Sequence, residues 1–162
     1  MRCNAPHFCY IGMKQKSTAI QYVVYLLSKR DYGEAELRQK LKQKDFLEEE
    51  IEQAIVKAQE HQWQSDERFC RQFIHYRSQQ GYGPNRLKQE LRFKGIADWL
   101  ISQEMENSEV DWFELAERVF EKKRSTNWDI KAKQKMWRYM VSHGFYSDHF
   151  SHLMDLDYDD YQ

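Results

Sequence analysis

Only two prolines and six glycines punctuate the 162 residues, too few turn formers for a chain of many short strands. Helix is the expected state, and the abundance of Gln, Glu, Lys, Leu and Arg agrees. The three cysteines, Cys3, Cys9 and Cys70, are odd in number and show no Cys-x-x-Cys spacing. That argues against a disulfide framework and a cysteine-rich zinc site, and it fits a reducing, cytoplasmic setting. Long apolar runs are missing as well. "MRCNAPHFCYIGMKQK", residues 1 to 16, has no continuous apolar core of a secretory signal, and no later stretch has the length of a membrane span. No membrane association is expected.

What is present is enough to fold. A hydrophobic content of 41%, with 15% aromatics, suffices for a packed core in a chain of this size. The formal net charge is −1, but the charges are segregated. Asp45, Glu48, Glu49, Glu50, Glu52, Glu60, Asp66 and Glu67 face only Lys57 in one acidic stretch. The next stretch, Arg68 to Lys94, carries Arg68, Arg71, Arg77, Arg86, Lys88, Arg92 and Lys94 against the single acid Glu90. A second basic block runs from Lys122 to Arg138 with Asp129 as its only acid, and the tail "DLDYDDYQ" is negative again. Such blocks can steer a charged partner, although helix surfaces are commonly charged in any case.

Apolar spacing marks repeated helices. In "STAIQYVVYLLSKR", Ile20, Val23, Val24 and Leu27 recur at helical intervals, with Ser17 as N-cap. Leu37 and Leu41 mark a short helix after Gly33, and Ile51, Ala54, Ile55 and Ala58 a longer one with an acidic first turn. The pattern restarts at "SDERFCRQFIHYR", where Ser65 can cap and Phe69, Cys70, Phe73 and Ile74 share a face. Leu87 and Leu91 follow, and a helix from Asp98 carries Trp99, Ile101 and Met105.

The restart reflects a duplication. At an offset of fifty, residues 25–46 and 75–96 match at Ser28/Ser78, Tyr32/Tyr82, Gly33/Gly83, Leu37/Leu87, Gln39/Gln89, Leu41/Leu91 and Lys44/Lys94. A looser third copy sets Met136, Met140, Gly144 and Phe145 against Leu87, Leu91, Gly95 and Ile96. Its first helix would carry Trp112, Leu115, Ala116, Val119 and Phe120, and its last Phe150, Leu153 and Met154 after a Ser147 cap. The expected fold is all-α: three tandem three-helix repeats in an elongated, curved array. The divisions are a flexible extension over 1–16, repeats over 17–64, 65–110 and 111–154, and an acidic tail over 155–162. Two departures stand out: Asp45 replaces the glycine of the later repeats, and Ala132 replaces Gly83, beside the lengthened connection "RSTNWD".

The stretch "GYGPNRLKQELRFKGI" reads as a capped short helix. Gly83 enters the turn, Pro84 takes the first helical position, Gly95 takes the left-handed position after the end, and Ile96 packs back. Neither Gly-x-x-x-x-Gly-Lys-Ser/Thr nor Gly-x-Gly-x-x-Gly is present, so no phosphate loop forms there. Hydrolase and kinase motifs are missing too. No catalytic residue and no cofactor are expected. His149 and His152, with His143 and Asp148 nearby, do not complete a tetrahedral metal set, and Asp155, Asp157 and Asp159 lack the glycine and final glutamate of a calcium loop.

The order of "SDERFCRQFIHYR", "GYGPNRLKQELRFKGI" and "KMWRYMVSHGF" resembles the RecX family, regulatory proteins that act on the RecA recombinase. The resemblance covers about residues 17 to 154 and is most specific in the middle repeat. It implies a monomeric, non-enzymatic modulator, usually an inhibitor, which binds RecA and the groove of RecA filaments on single-stranded DNA. Filament growth, ATP hydrolysis, strand exchange and stimulated repressor cleavage would all be restrained, and with them recombination and the SOS response. Two basic sets are the contact candidates: Arg71, Arg77, Arg86, Lys88, Arg92 and Lys94 in the middle repeat, and Lys131, Lys133, Lys135 and Arg138 in the third. Weak direct DNA binding is an added expectation; a helical DNA-binding or scaffold protein without RecA is the alternative. Tyr32, Tyr82, Trp99, Trp112 and Trp137 are expected to pack at helix junctions, Trp128 to be more exposed, and Cys70 to be a buried, inert thiol.

Overall fold

The computed structural model describes residues 17–154. The expected N-terminal extension and the acidic tail lie outside the described residues. Among the described residues eight α-helices run in order: α1 Ala19–Leu27, α2 Glu34–Lys42, α3 Glu48–Glu60, α4 Asp66–Gln79, α5 Pro84–Phe93, α6 Asp98–Glu106, α7 Trp112–Lys123 and α8 Ile130–Ser142. Two 3₁₀ turns, Ser147–His149 and Ser151–Met154, complete them. No strand occurs among the described residues.

The side chains gather into three apolar cores. Val23, Leu37, Leu41, Ile51 and Ile55 fill the first, between α1, α2 and α3. The second, between α4, α5 and α6, holds Cys70, Ile74, Leu87, Leu91 and Ile101. Leu115, Ala116, Phe120, Met136, Met140, Phe145, Phe150 and Leu153 form the third. Trp112 and Val110 pack against both the second and third cores, so the inter-unit packing expected of Trp112 is present. Trp99 is different: it is 68% exposed, and α6 buries Leu100, Ile101, Glu104 and Met105 instead. A helix turns 100° per residue, so the face holding Ile101 and Met105 cannot also hold Trp99. Trp137 is half-exposed with its edge on Phe150, and Trp128 is tucked edge-on against Phe120 rather than left in solvent.

Local chemistry sets the helix ends. Ser65, Asp111 and Asp129 accept backbone N–H bonds at the starts of α4, α7 and α8. Thr18, not Ser17, caps α1: its hydroxyl accepts from Gln21 N while the Gln21 side chain accepts from Thr18 N, a reciprocal pair. Pro84 is the first residue of α5. Asp45, Gly95 and Gly144 have φ of 60°, 79° and 90°, and the amides of Phe46, Ile96 and Phe145 reach back to Leu41, Leu91 and Met140. The helices α2, α5 and α8 thus end in the same left-handed turn. After Gly144 no third α-helix follows among the described residues; Ser147 opens a 3₁₀ turn in place of the expected capped helix. Both turns are short, three and four residues, the length at which the tighter 3₁₀ winding is common.

Adjacent units join through the ends of α2, α5 and α8. The Gly83 amide donates to the His143 carbonyl at 2.7 Å, and Asn85 N to the Gly144 carbonyl at 3.0 Å. Donors left over at the start of α5 therefore satisfy acceptors left over at the end of α8. A β-carbon on Gly95 would lie 2.6 Å from that of Ala35 in α2, so the first junction has the same head-to-tail arrangement. There side chains make the polar contacts. Asp66 Oδ1 accepts from Glu34 N at 2.7 Å, and Arg68 pairs with Asp31 at 2.9 Å.

The two departures in sequence follow from this stacking. Gly95 and Gly144 each receive the start of the preceding unit's short helix, whereas Asp45 is exposed, with no described unit before it. Ala132 sits inside α8, which Asp129 caps three residues earlier than the glycine alignment implies. With alanine at that position the helix continues for an added turn.

Candidate macromolecular contact surface

The middle-unit arginines are engaged within the chain. Arg77 makes a two-pronged pair with Glu90 at 2.5 and 2.8 Å, donates to Gln80, and lies 4.0 Å over the Tyr82 ring. Arg86 shares Glu90 at 2.9 Å, donates to the Ser142 carbonyl and covers Tyr82 as well. Tyr82 also stacks on His143 across the junction, so its expected packing role is fulfilled. Burial pushes the Glu90 carboxyl up, but bonds from Arg77 and Arg86 outweigh it and hold the group below its ordinary 4.5. Arg71 reaches Glu67 at 2.6 Å and Glu104 at 3.0 Å; Arg92 pairs with Asp98 at 2.6 Å.

The middle lysines are placed differently. Lys94 lies near the rings of Phe69 and Phe73, and Lys88 sits 6.0 Å from the Tyr146 ring centre. Neither pairs with a carboxylate among the described residues. Between them on α5 stands Phe93, 95% exposed, a residue that the apolar periodicity does not single out.

Glu104 was hidden from sequence inspection. It is 2% exposed, held by Arg71 from α4, and lies near Cys70. Burial, then the negative charge of Glu104, pushes the Cys70 thiol up to about 12. Such a thiol is not a nucleophile at neutral pH.

The third unit holds the contrasting surface. Lys122 and Lys123 at the end of α7 face Lys135 and Arg138 of α8 across a cleft of about 790 Å³. Trp128, Met136 and Tyr139 contribute its walls, and among the described residues no carboxylate lines it. Lys123 lies 5.3 Å over the Tyr139 ring. The cleft gathers Lys135 and Arg138 from the expected set, while Lys131 and Lys133 lie outside its lining. None of these six cations pairs with a carboxylate among the described residues. The signal for Lys122 and Lys123 was their place in the basic block, but that α7 faces α8 needs the fold. Cations without a neighbouring carboxylate attract polyanions; compensated arginines add shape and rigidity.

No group of three or more His, Cys, Asp or Glu able to hold a metal occurs among the described residues. His149 packs its ring against Phe113, Phe145 and Tyr146, with Nδ1 buried and without a partner. Burial holds its pKa below the ordinary 6.5. No described helix is long and apolar enough to cross a membrane.

Comparison with known proteins gives one consistent family. The profile "RecX, first three-helix domain" matches residues 19–57, and "RecX, second three-helix domain" matches residues 65–105. The Regulatory protein RecX of Actinobacillus pleuropneumoniae serotype 5b is 71% identical over 143 residues, 88% of this chain and 95% of that protein. The Haemophilus ducreyi protein of the same name is 64% identical over 142 residues, 88% of this chain and 94% of its own. Among solved structures, RecX from Lactobacillus salivarius superposes with a TM-score of 0.74 at 20% identity, covering 85% of this chain and 95% of that one. A second RecX crystal structure gives 0.70 at 24% identity, over 85% of this chain and 70% of that one. These two structures establish likeness of fold.

Proposed function

The chain belongs to the RecX family of regulatory proteins, and from that premise we propose that it binds RecA and RecA filaments on single-stranded DNA. It lies in the filament groove and restrains filament growth, ATP hydrolysis, strand exchange and stimulated repressor cleavage. Recombination and the SOS response are thereby limited. The observation that carries this reading is the 71% identity to a regulatory protein over nearly the whole length of both chains. The protein acts as a cytoplasmic, non-enzymatic monomer of three tandem repeats, 17–64, 65–110 and 111–154, the last a divergent copy ending in 3₁₀ turns.

Two features support a groove-binding role. Head-to-tail stacking through the ends of α2, α5 and α8 ties successive units into one array, a form suited to a partner with its own repeat. The contact surface lies on the second and third units. Lys88, Lys94, Lys131, Lys133, Lys135 and Arg138 are its cations without a carboxylate partner among the described residues, and Arg71, Arg77, Arg86 and Arg92 form its compensated part.

RecA-driven ATP hydrolysis on single-stranded DNA, titrated with this protein, tests the proposal. Loss of hydrolysis at substoichiometric protein is expected. No effect at saturating protein would overturn it and leave a helical DNA-binding or scaffold protein that does not act on RecA.

A further inference from the structure

The cleft between α7 and α8 gathers Lys122, Lys123, Lys135 and Arg138 around Trp128 and Tyr139. We propose that it is a nucleic-acid site, in which Lys122, Lys123, Lys135 and Arg138 take the phosphodiester backbone, while the filament's protein meets other parts of the molecule. This deepens the function proposed above and rests on it.

The charge environment is the first argument. These four cations line one cleft whose described walls hold no carboxylate, in a protein whose formal net charge is −1. The middle-unit arginines have paired with Glu67, Glu90, Asp98 and Glu104 instead. A protein partner is usually met by mixed charge that sets register by attraction and repulsion. A phosphate chain presents one sign only, and an all-cationic cleft suits it.

The side-chain chemistry is the second. Three of the four are lysines, mobile point charges that follow a flexible phosphate chain; bidentate reading of a protein carboxylate favours arginine. Their placement along a cleft of about 790 Å³ leaves room for a chain rather than a single ion. Trp128 and Tyr139 bring aromatic surface to the same walls, the combination found where single strands are held without sequence preference.

The test is binding of a short fluorescein-labelled oligothymidylate to the full chain, followed by anisotropy over a range of salt. Lys135→Glu with Arg138→Glu is compared with a charge-matched control, Lys29→Glu with Lys57→Glu, on exposed positions of the first unit. The cleft pair is expected to weaken binding about tenfold or more and to flatten the salt dependence, since single strands give a slope of about −0.7 per phosphate neutralised. The control is expected to fall much less. Equal losses in the two variants would overturn the site, as would wild-type protein that fails to bind the oligonucleotide at low salt. Displacement of the oligonucleotide by polyglutamate at equal charge would also overturn it, in favour of an acidic protein surface. Control of RecA hydrolysis by wild type separates the two proposals: if that control stands while the cleft variant binds oligonucleotide normally, only the site is lost.

Discussion

A β-carbon on Gly83 would stand 2.5 Å from the carbonyl carbon and oxygen of Gly144, so the second and third units meet backbone to backbone. Neither partner is a flexible side chain that could swing aside. Gly144 bears a further constraint, φ of 90°, where an L-residue is strained. Gly83→Ala and Gly144→Ala are each expected to cost about 2–4 kcal/mol. Ala132→Gly, inside α8, should cost only about 0.5–1 kcal/mol. Urea unfolding of the three variants decides it: equal small losses would mean the units are not clamped at this point. The double glycine variant should cost less than the sum, because one opened junction relieves both clashes.

The first junction depends on one carboxylate. Asp66 Oδ1 accepts from Glu34 N at the start of α2 and from Gln64 Nε2 at 2.8 Å. It supplies across the junction the cap that Gly33, lacking a side chain, cannot give. Asp66→Ala should cost about 1–2 kcal/mol and speed exchange of the Glu34 amide more than amides of α5 or α8. Hydrogen exchange resolved by residue checks this; unchanged protection at Glu34 would rule out the cap.

Cys70 and Arg71 report on the buried Glu104. With its thiol pushed up to about 12, Cys70 has roughly one molecule in ten thousand ionised at pH 8. Peptide-mapped alkylation should find it unmodified in folded protein and rapidly labelled in denaturant. Arg71→Ala should lower the urea midpoint more than Glu67→Ala, because Arg71 compensates a carboxylate that is 2% exposed whereas Glu67 lies in solvent. Equal midpoints in the two variants would mean that Glu104 has no need of its partner.

Helix positions and core faces were readable where periodicity decides them. Leu37, Leu41, Leu87 and Leu91 are all buried as the fifty-residue offset implies, and Gly95 takes its left-handed turn. Pairwise chemistry between distant segments was not readable. Glu104 lies 33 positions from Arg71, and Trp99 looked like a core residue because helical spacing identifies an apolar stripe without showing where its edge falls. The basic blocks were equally visible, but their difference in compensation was not. Glu90 is one acid in a basic stretch, yet it engages both Arg77 and Arg86, while Asp129 in the second block is spent capping α8. Which cations stay available depends on where each acid points.

Glu90 also makes the molecule acid-sensitive at a chosen place. Its folded-state pKa lies below 4.5, so the unfolded chain takes up the proton first as pH falls. Stabilisation from the Arg77–Glu90–Arg86 group is therefore fully present above about pH 4.5 and is lost as pH falls through the folded-state value. Other carboxylates titrate in that range, so the useful quantity is the difference between wild type and Glu90→Gln. The variant should be less stable at pH 7, where two arginines lose their counter-charge, and the gap should close as pH falls below 4.5. Urea midpoints measured from pH 7 to strongly acidic conditions would show a converging pair of curves. Parallel curves would mean that Glu90 is no better held in the folded protein than in the unfolded chain. Because Arg86 also donates to the Ser142 carbonyl, protonation of Glu90 should loosen the junction between the second and third units before it loosens the first.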